Sequence, residues 1–156
     1  MATINAAISV TSDVTGYGTT INNSMTMTKA GTIAGLDQAT GLVRKTLTST
    51  NEVDLLVVGA GVVADVTATK SAKLYIKNVN TDSSEYFTVG LGKASTSASK
   101  QALSVVADDT RSVEIGRLYS GDWMIIPWVA ASDEHDVFVK PSVSTSMVIE
   151  YMVFFE

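Results

Sequence analysis

Lys73-Leu74-Tyr75-Ile76-Lys77-Asn78 and Tyr86-Phe87-Thr88-Val89-Gly90-Leu91 are two strand-forming runs separated by the polar Val79-Asn80-Thr81-Asp82-Ser83-Ser84-Glu85. Leu74 and Ile76 alternate with Lys73, Tyr75 and Lys77, and Phe87, Val89 and Leu91 alternate with Thr88 and Gly90. A period of two places alternate side chains on opposite faces of a strand. The Asn, Asp and Ser between the two runs have short side chains that hydrogen-bond their own backbone, which is turn chemistry. The segment is expected to form a β-hairpin with a long loop.

The same period extends in both directions. Residues 102–106, 112–118, 122–128 and 137–140 are short strand-forming runs, with Tyr119-Ser120-Gly121-Asp122 and the acidic Asp133, Glu134 and Asp136 between them. Pro127 has no N–H for a ladder, so its run is capped there or lies on an edge. Residues 147–155 are apolar on both faces, Met147, Ile149, Tyr151, Val153 and Phe155 on one and Val148, Met152 and Phe154 on the other. Such a strand is central or is covered by a partner. Toward the N-terminus, residues 53–58 and 42–47 read as strands and the Gly-spaced residues 30–41 as a loop or irregular arm. In residues 3–10, Ile4, Ala6, Ile8 and Val10 alternate with Thr3, Asn5, Ala7 and Ser9, and in 21–28 Met25 and Met27 oppose Ser24, Thr26 and Thr28. The Ser/Ala/Thr-rich residues 93–100 read as an exposed, mobile loop.

No window sustains a 3.6-residue period with caps, so the expectation is an all-β fold. Strand runs spaced by turn signals predict a two-sheet antiparallel sandwich of jelly-roll type with an extended N-terminal arm. Residues 1–50 are assigned to the arm, making subunit contacts, and residues 51–156 to the sandwich.

Composition narrows the function. Apolar residues make up 46% of the 156 and charged residues only 17%, leaving apolar surface that oligomerisation would bury. A net charge of −5 and scattered Lys and Arg argue against a nucleic-acid partner, which requires a basic stripe to replace phosphate counterions. The absence of cysteine excludes disulfides and thiolate metal or redox sites. No segment has the roughly 18 apolar residues of a membrane-spanning helix, and the first residues lack the pattern of a secretory signal. A soluble chain made in a cytoplasm is expected, with no membrane partner.

Three motifs carry potential chemistry. Leu55-Leu56-Val57-Val58-Gly59-Ala60-Gly61-Val62-Val63-Ala64 matches the strand and G-x-G-x-x-A of a dinucleotide site. The required helix would be rich in Val and Thr, which lose side-chain freedom there. Gly59-Ala60-Gly61 therefore reads as a turn between strands. His135, the one histidine, stands among Asp133, Glu134 and Asp136. It has no second His or Cys for a transition metal, and the acids lack calcium-loop spacing, so a solvated acidic loop is expected. Trp123 and Trp128 bracket Met124-Ile125-Ile126-Pro127 and read as core or interface anchors, with a sugar platform as the alternative. Glu114 and Glu150, the carboxylates a glycosidase would need, lie in apolar strands. No catalytic, cofactor or metal site is assigned, and the chain is not read as an enzyme.

The motifs Lys73-Leu74-Tyr75-Ile76-Lys77-Asn78, Thr88-Val89-Gly90, Gly121-Asp122 leading into Pro127-Trp128, and Glu150-Tyr151 in the last strand resemble those of small jelly-roll structural proteins of tailed-bacteriophage virions. The resemblance spans residues 73–156. It implies a virion component, foremost a capsid decoration or cement protein stabilising the phage head. The implied partners are itself, as a homotrimer, and the major capsid protein or other virion proteins, after assembly in the host cytoplasm. A tail, neck or fibre-base protein and a carbohydrate- or receptor-binding module are the alternatives. Ile4, Ile8, Met25, Met27, Trp123, Trp128, Phe154 and Phe155 are the candidate interface residues.

Overall fold

The computed structural model describes residues 4–11, 20–27, 38–58, 71–92, 113–129 and 135–155. Its strands are β1 (Ile4–Thr11), β2 (Thr20–Met27), β3 (Gln38–Ala39), β4 (Val43–Leu47), β5 (Val53–Leu56), β6 (Ser71–Asn78), β7 (Tyr86–Leu91), β8 (Val113–Tyr119), β9 (Trp123–Val129), β10 (Val137–Pro141) and β11 (Met147–Phe155). Every pairing among them is antiparallel.

Strands β4 to β11, with β3, build an all-β sandwich of two sheets. One has the order β4-β11-β6-β9, with β3 beside the far end of β11, and the other has the order β5-β10-β7-β8. Between β4 and β11 only the β7–β8 connection stays within one sheet, and every other connection crosses to the opposite sheet. The expected hairpin at 73–91 is therefore corrected, because β6 pairs with β11 and β9 while β7 pairs with β10 and β8. The reason is physical: alternation requires that Leu74, Ile76, Phe87 and Val89 meet a common core, and face-to-face packing meets that need as well as edge-to-edge pairing does.

The core is filled from both sheets. Leu74 and Ile76 of β6, Met147, Ile149 and Val153 of β11, and Trp128 of β9 pack with Leu56, Phe87, Val89, Val137 and Val139 of the other sheet. Each large side chain so buried contributes about 1.5–3 kcal/mol, against the entropy of ordering the chain. β11 lies between β4 and β6, the central position its two apolar faces require. Among the described residues β9, with Pro127, pairs on one side only and lies at the edge of its sheet, the position that tolerates the missing N–H.

Residues 38–47, grouped in the sequence reading with the arm, pair with β11 and belong to the sandwich. The pairing steps by one residue between Ala39 and Val43 at a bulge. There Gly41 takes φ 75°, a left-handed conformation that glycine adopts without a Cβ penalty. Thr40 keeps the ladder satisfied: its amide donates to the Val153 carbonyl (3.0 Å), and its Oγ1 accepts from the Val153 amide (3.0 Å).

One end of the sandwich is tied by Asn78, which is fully buried. Its Nδ2 donates to the Leu118 carbonyl (3.1 Å) and its Oδ1 accepts from the Asn80 amide (3.0 Å). Asn80 Oδ1 in turn accepts from the Val148 amide (2.9 Å), and Ser120 Oγ donates to the Asn80 carbonyl. Tyr86 and Ser142 add a reciprocal pair, Tyr86 N to Ser142 Oγ (3.0 Å) and Ser142 N to Tyr86 O (2.9 Å). The polar residues read as turn formers thus pin the short crossovers to one another.

Gly90 answers a different constraint. Phe138 stands opposite it in register, on the face of β10 away from Val137 and Val139. A Cβ on Gly90 would enter the Phe138 ring and lie 2.6 Å from the Val113 carbonyl oxygen. The backbone itself makes room for a buried aromatic ring.

Candidate functional site

Two surfaces qualify. The first is the ribbon of β1 and β2, which among the described residues pair only with each other. Its register matches Ile4 with Met27, Ala6 with Met25, Ile8 with Asn23 and Val10 with Ile21. Residues directly opposite in an antiparallel pair share a face, so one face carries apolar residues at every position except Asn23. The alternate positions pair Asn5 with Thr26, Ala7 with Ser24, Ser9 with Asn22 and Thr11 with Thr20. Ile8 is 41% exposed. The ribbon is amphipathic across its full length, and four of the candidate interface residues, Ile4, Ile8, Met25 and Met27, fall on its apolar face.

The second is the outward face of the β11 sheet. Register aligns Arg44, Glu150, Lys77 and Trp123 in one row across β4, β11, β6 and β9. Met152, Tyr75 and Ile125 form the next row, and Phe154, Lys73 and Pro127 the one after. Arg44 Nε donates to Glu150 Oε2 at 2.8 Å, the Arg44 side chain remaining 67% exposed and that of Glu150 9%. The Tyr75 hydroxyl donates to Glu150 Oε1 at 3.4 Å. Burial, then the charge of Glu150 and that hydrogen bond, raise the Tyr75 phenol above its ordinary value. The Tyr75 and Trp123 rings lie 6.5 Å apart, tilted by 39°.

The two tryptophans divide. Trp123 is 44% exposed on this outward face, whereas Trp128 is 3% exposed in the core, its Nε1 donating to the His135 carbonyl (2.7 Å). Phe154 and Phe155 are also buried within this chain. Alternation puts Phe155 on the core side and Phe154 on the outward side.

The other motifs are placed as follows. The glycine motif at 59–64 lies outside the described residues, as do Asp133 and Glu134. Asp136 departs from the solvated-loop expectation: it is buried, and its Oδ1 accepts from the Val58 amide (2.7 Å) while its carbonyl accepts from the Gly92 amide (2.7 Å). The carboxylate thus satisfies the Val58 amide just beyond β5, while the backbone carbonyl of the same residue satisfies the Gly92 amide just beyond β7. Among the described residues no group of three His, Cys, Asp or Glu is placed to hold a metal ion. Glu114 lies in β8 and Glu150 on the outward face of the opposite sheet, so the fold does not assemble them as a pair. No described helix is long and apolar enough to cross a membrane.

Arg44 and Tyr75 were not singled out from the sequence. Their shared partner Glu150 is distant along the chain, and alternation placed Arg44 and Tyr75 on a face without showing that they meet it. No protein-family model, no curated protein and no solved structure matches the chain.

Proposed function

We propose that this chain is a structural component of a larger assembly, joined to its neighbours through the β1–β2 ribbon. The register of that ribbon carries the reading. A two-stranded ribbon is marginally stable in water on its own, and one with an apolar face gains stability when a partner covers it. Apolar residues such as Ile8 in this position, combined with few charges, favour a permanent contact over a transient one.

Within that reading the chain is a decoration or cement protein of a tailed-phage head, acting as a homotrimer on the capsid surface. This finer placement rests on the resemblance over residues 73–156. The strand orders β4-β11-β6-β9 and β5-β10-β7-β8 add support, being those that a jelly-roll winding produces. The mechanism is mechanical: a protein that binds the assembled shell and not its free subunits adds its binding free energy to particle stability, and repeated copies act through avidity.

The test is light scattering of the full-length protein and of a variant lacking residues 1–28, together with co-sedimentation on mature shells. The full-length chain is expected to be an oligomer that co-sediments, and the truncation to be monomeric and unbound. A full-length monomer indifferent to shells overturns the reading. Gold labelling of the source particle separates a head position from a tail, neck or fibre-base one.

A further inference from the structure

We infer that the β1–β2 ribbon of one copy seats its apolar face on the outward face of the β11 sheet of a second copy, along β9. The inference rests on the assembly reading above and names the surface that receives the ribbon.

Register puts Trp123, Ile125, Pro127 and Val129 on that outward face in succession along β9, with Met152 of β11 in the Ile125 row. Trp123 and Val129 are 44% and 45% exposed, and none of the five belongs to the core cluster. Lys73, Tyr75 and Lys77 of β6 lie between β9 and β11 and are half-buried. A lysine so placed covers apolar surface with its stem while its ammonium reaches water. The ion pair of Arg44 with Glu150 lies toward β4, away from β9. An apolar stretch with charge at its border is the anatomy of a protein–protein contact.

The ribbon is the matching half. Its apolar face is about 24 Å long and the β9 row about 20 Å. Neither β1 nor β2 carries a charged residue, so the ribbon requires no ion partner and leaves the Arg44–Glu150 pair intact. The occupant is a second copy and not the same chain, because Ile8, Trp123 and Val129 all stand open in one molecule.

The path of the chain permits the exchange. β3 pairs with Phe154 and Phe155, and Phe154 shares a row with Pro127, so the tether of the ribbon starts at the rim of the receiving face. Residues 28–37 join Met27 to Gln38 and reach at most about 40 Å, enough to cross to a neighbour. Each chain then gives one ribbon and receives one. Such a head-to-tail contact closes into a ring with no further surface, whereas ribbon-to-ribbon pairing would leave the β9 row uncovered.

The test is complementation, read by sedimentation of full-length chains. Ile8→Asp damages the ribbon and keeps the face, and Trp123→Asp does the reverse. Each alone is expected to self-associate about thirtyfold or more weakly than the parent and to run as a monomer with a melting temperature near the parent's. Mixed one to one they should form a dimer, since one intact ribbon meets one intact face and the ring cannot close. Val129→Asp should replace Trp123→Asp in the mixture, so a folding failure of one face variant decides nothing. Face variants that assemble like the parent, or folded variants that give no dimer on mixing, would overturn the inference. A monomeric parent that binds shells only with Ile8 intact would also overturn it, yet leave the assembly reading standing. Complementation without shell binding supports the ribbon's seat and sinks the phage-head placement alone.

Discussion

Strands β1 and β11 are nearly equal in length, eight and nine residues, and both alternate, yet they occupy opposite situations. β11 has ladder partners on both edges, β3 and β4 on one and β6 on the other, and its residues are buried or half-buried throughout. Among the described residues β1 has one partner, and Asn5, Ala7, Ile8, Ser9 and Thr11 are exposed. Residue type separates them: β11 is apolar on its core face and, apart from Glu150, on the other, while β1 is apolar on one and offers Asn, Ala, Ser and Thr on the other. A two-faced apolar strand demands enclosure by its own chain, and a one-faced ribbon leaves its apolar side available to another molecule.

The comparison is broken most forcefully by charge. Val153→Asp places a carboxylate in the sandwich core and is expected to cost about 4 kcal/mol or more, abolishing the cooperative thermal transition. Ile8→Asp, an equal change in the ribbon, is expected to leave the sandwich transition within about 0.5 kcal/mol of the parent while dispersing the oligomer. Equal melting losses for the two substitutions would erase the distinction. Gly90→Ala is expected to cost about 3 kcal/mol, because the new Cβ overlaps a ring that close packing prevents from moving. Adding Phe138→Leu should recover part of that loss, measured as a double-mutant cycle in denaturant.

Asn78→Ala removes the donor to Leu118 O and the acceptor for Asn80 N inside the sandwich end, and about 2–3 kcal/mol is expected by urea unfolding. A loss below half a kcal/mol would mean that the crossovers hold without their polar tie. The smallest effect sits at the exposed Asp82, whose carboxyl is held below its ordinary range by the Ser84 hydroxyl and then the Ser84 amide. A folded pKa depressed in this way contributes stability above the unfolded value, about 3.9, and that contribution fades as pH falls through the folded one. The melting difference between the parent and Asp82→Ala is therefore expected near neutrality and should close in strong acid.

Period-two alternation made the faces of β6, β7 and β11 legible, and the proline ring made the edge at Pro127 legible. What alternation could not convey is who lies beside whom. Leu74 and Phe87 read the same whether their strands pair in one sheet or face each other across two, so the hairpin expectation was indistinguishable from the crossover that forms. Gly90 and Asn78 were hidden for a related reason. Their roles depend on Phe138 and Leu118, partners supplied by the tertiary path and not by local pattern. On the candidate surfaces, the ribbon's apolar face was visible in Ile4, Ile8, Met25 and Met27. The Arg44–Glu150 pair was not, because its members are 106 residues apart.

The central place of β11 also sets a clock. β4 and β6 have no common ladder until the last strand of the sandwich is inserted between them. During synthesis both expose unpaired edges and apolar faces while the intervening chain is still being made. Folding dominated by such distant pairings is slow and open to aggregation. Final closure therefore awaits β11, and fragments that stop short of residue 147 should accumulate as chaperone clients and not as folded sandwiches.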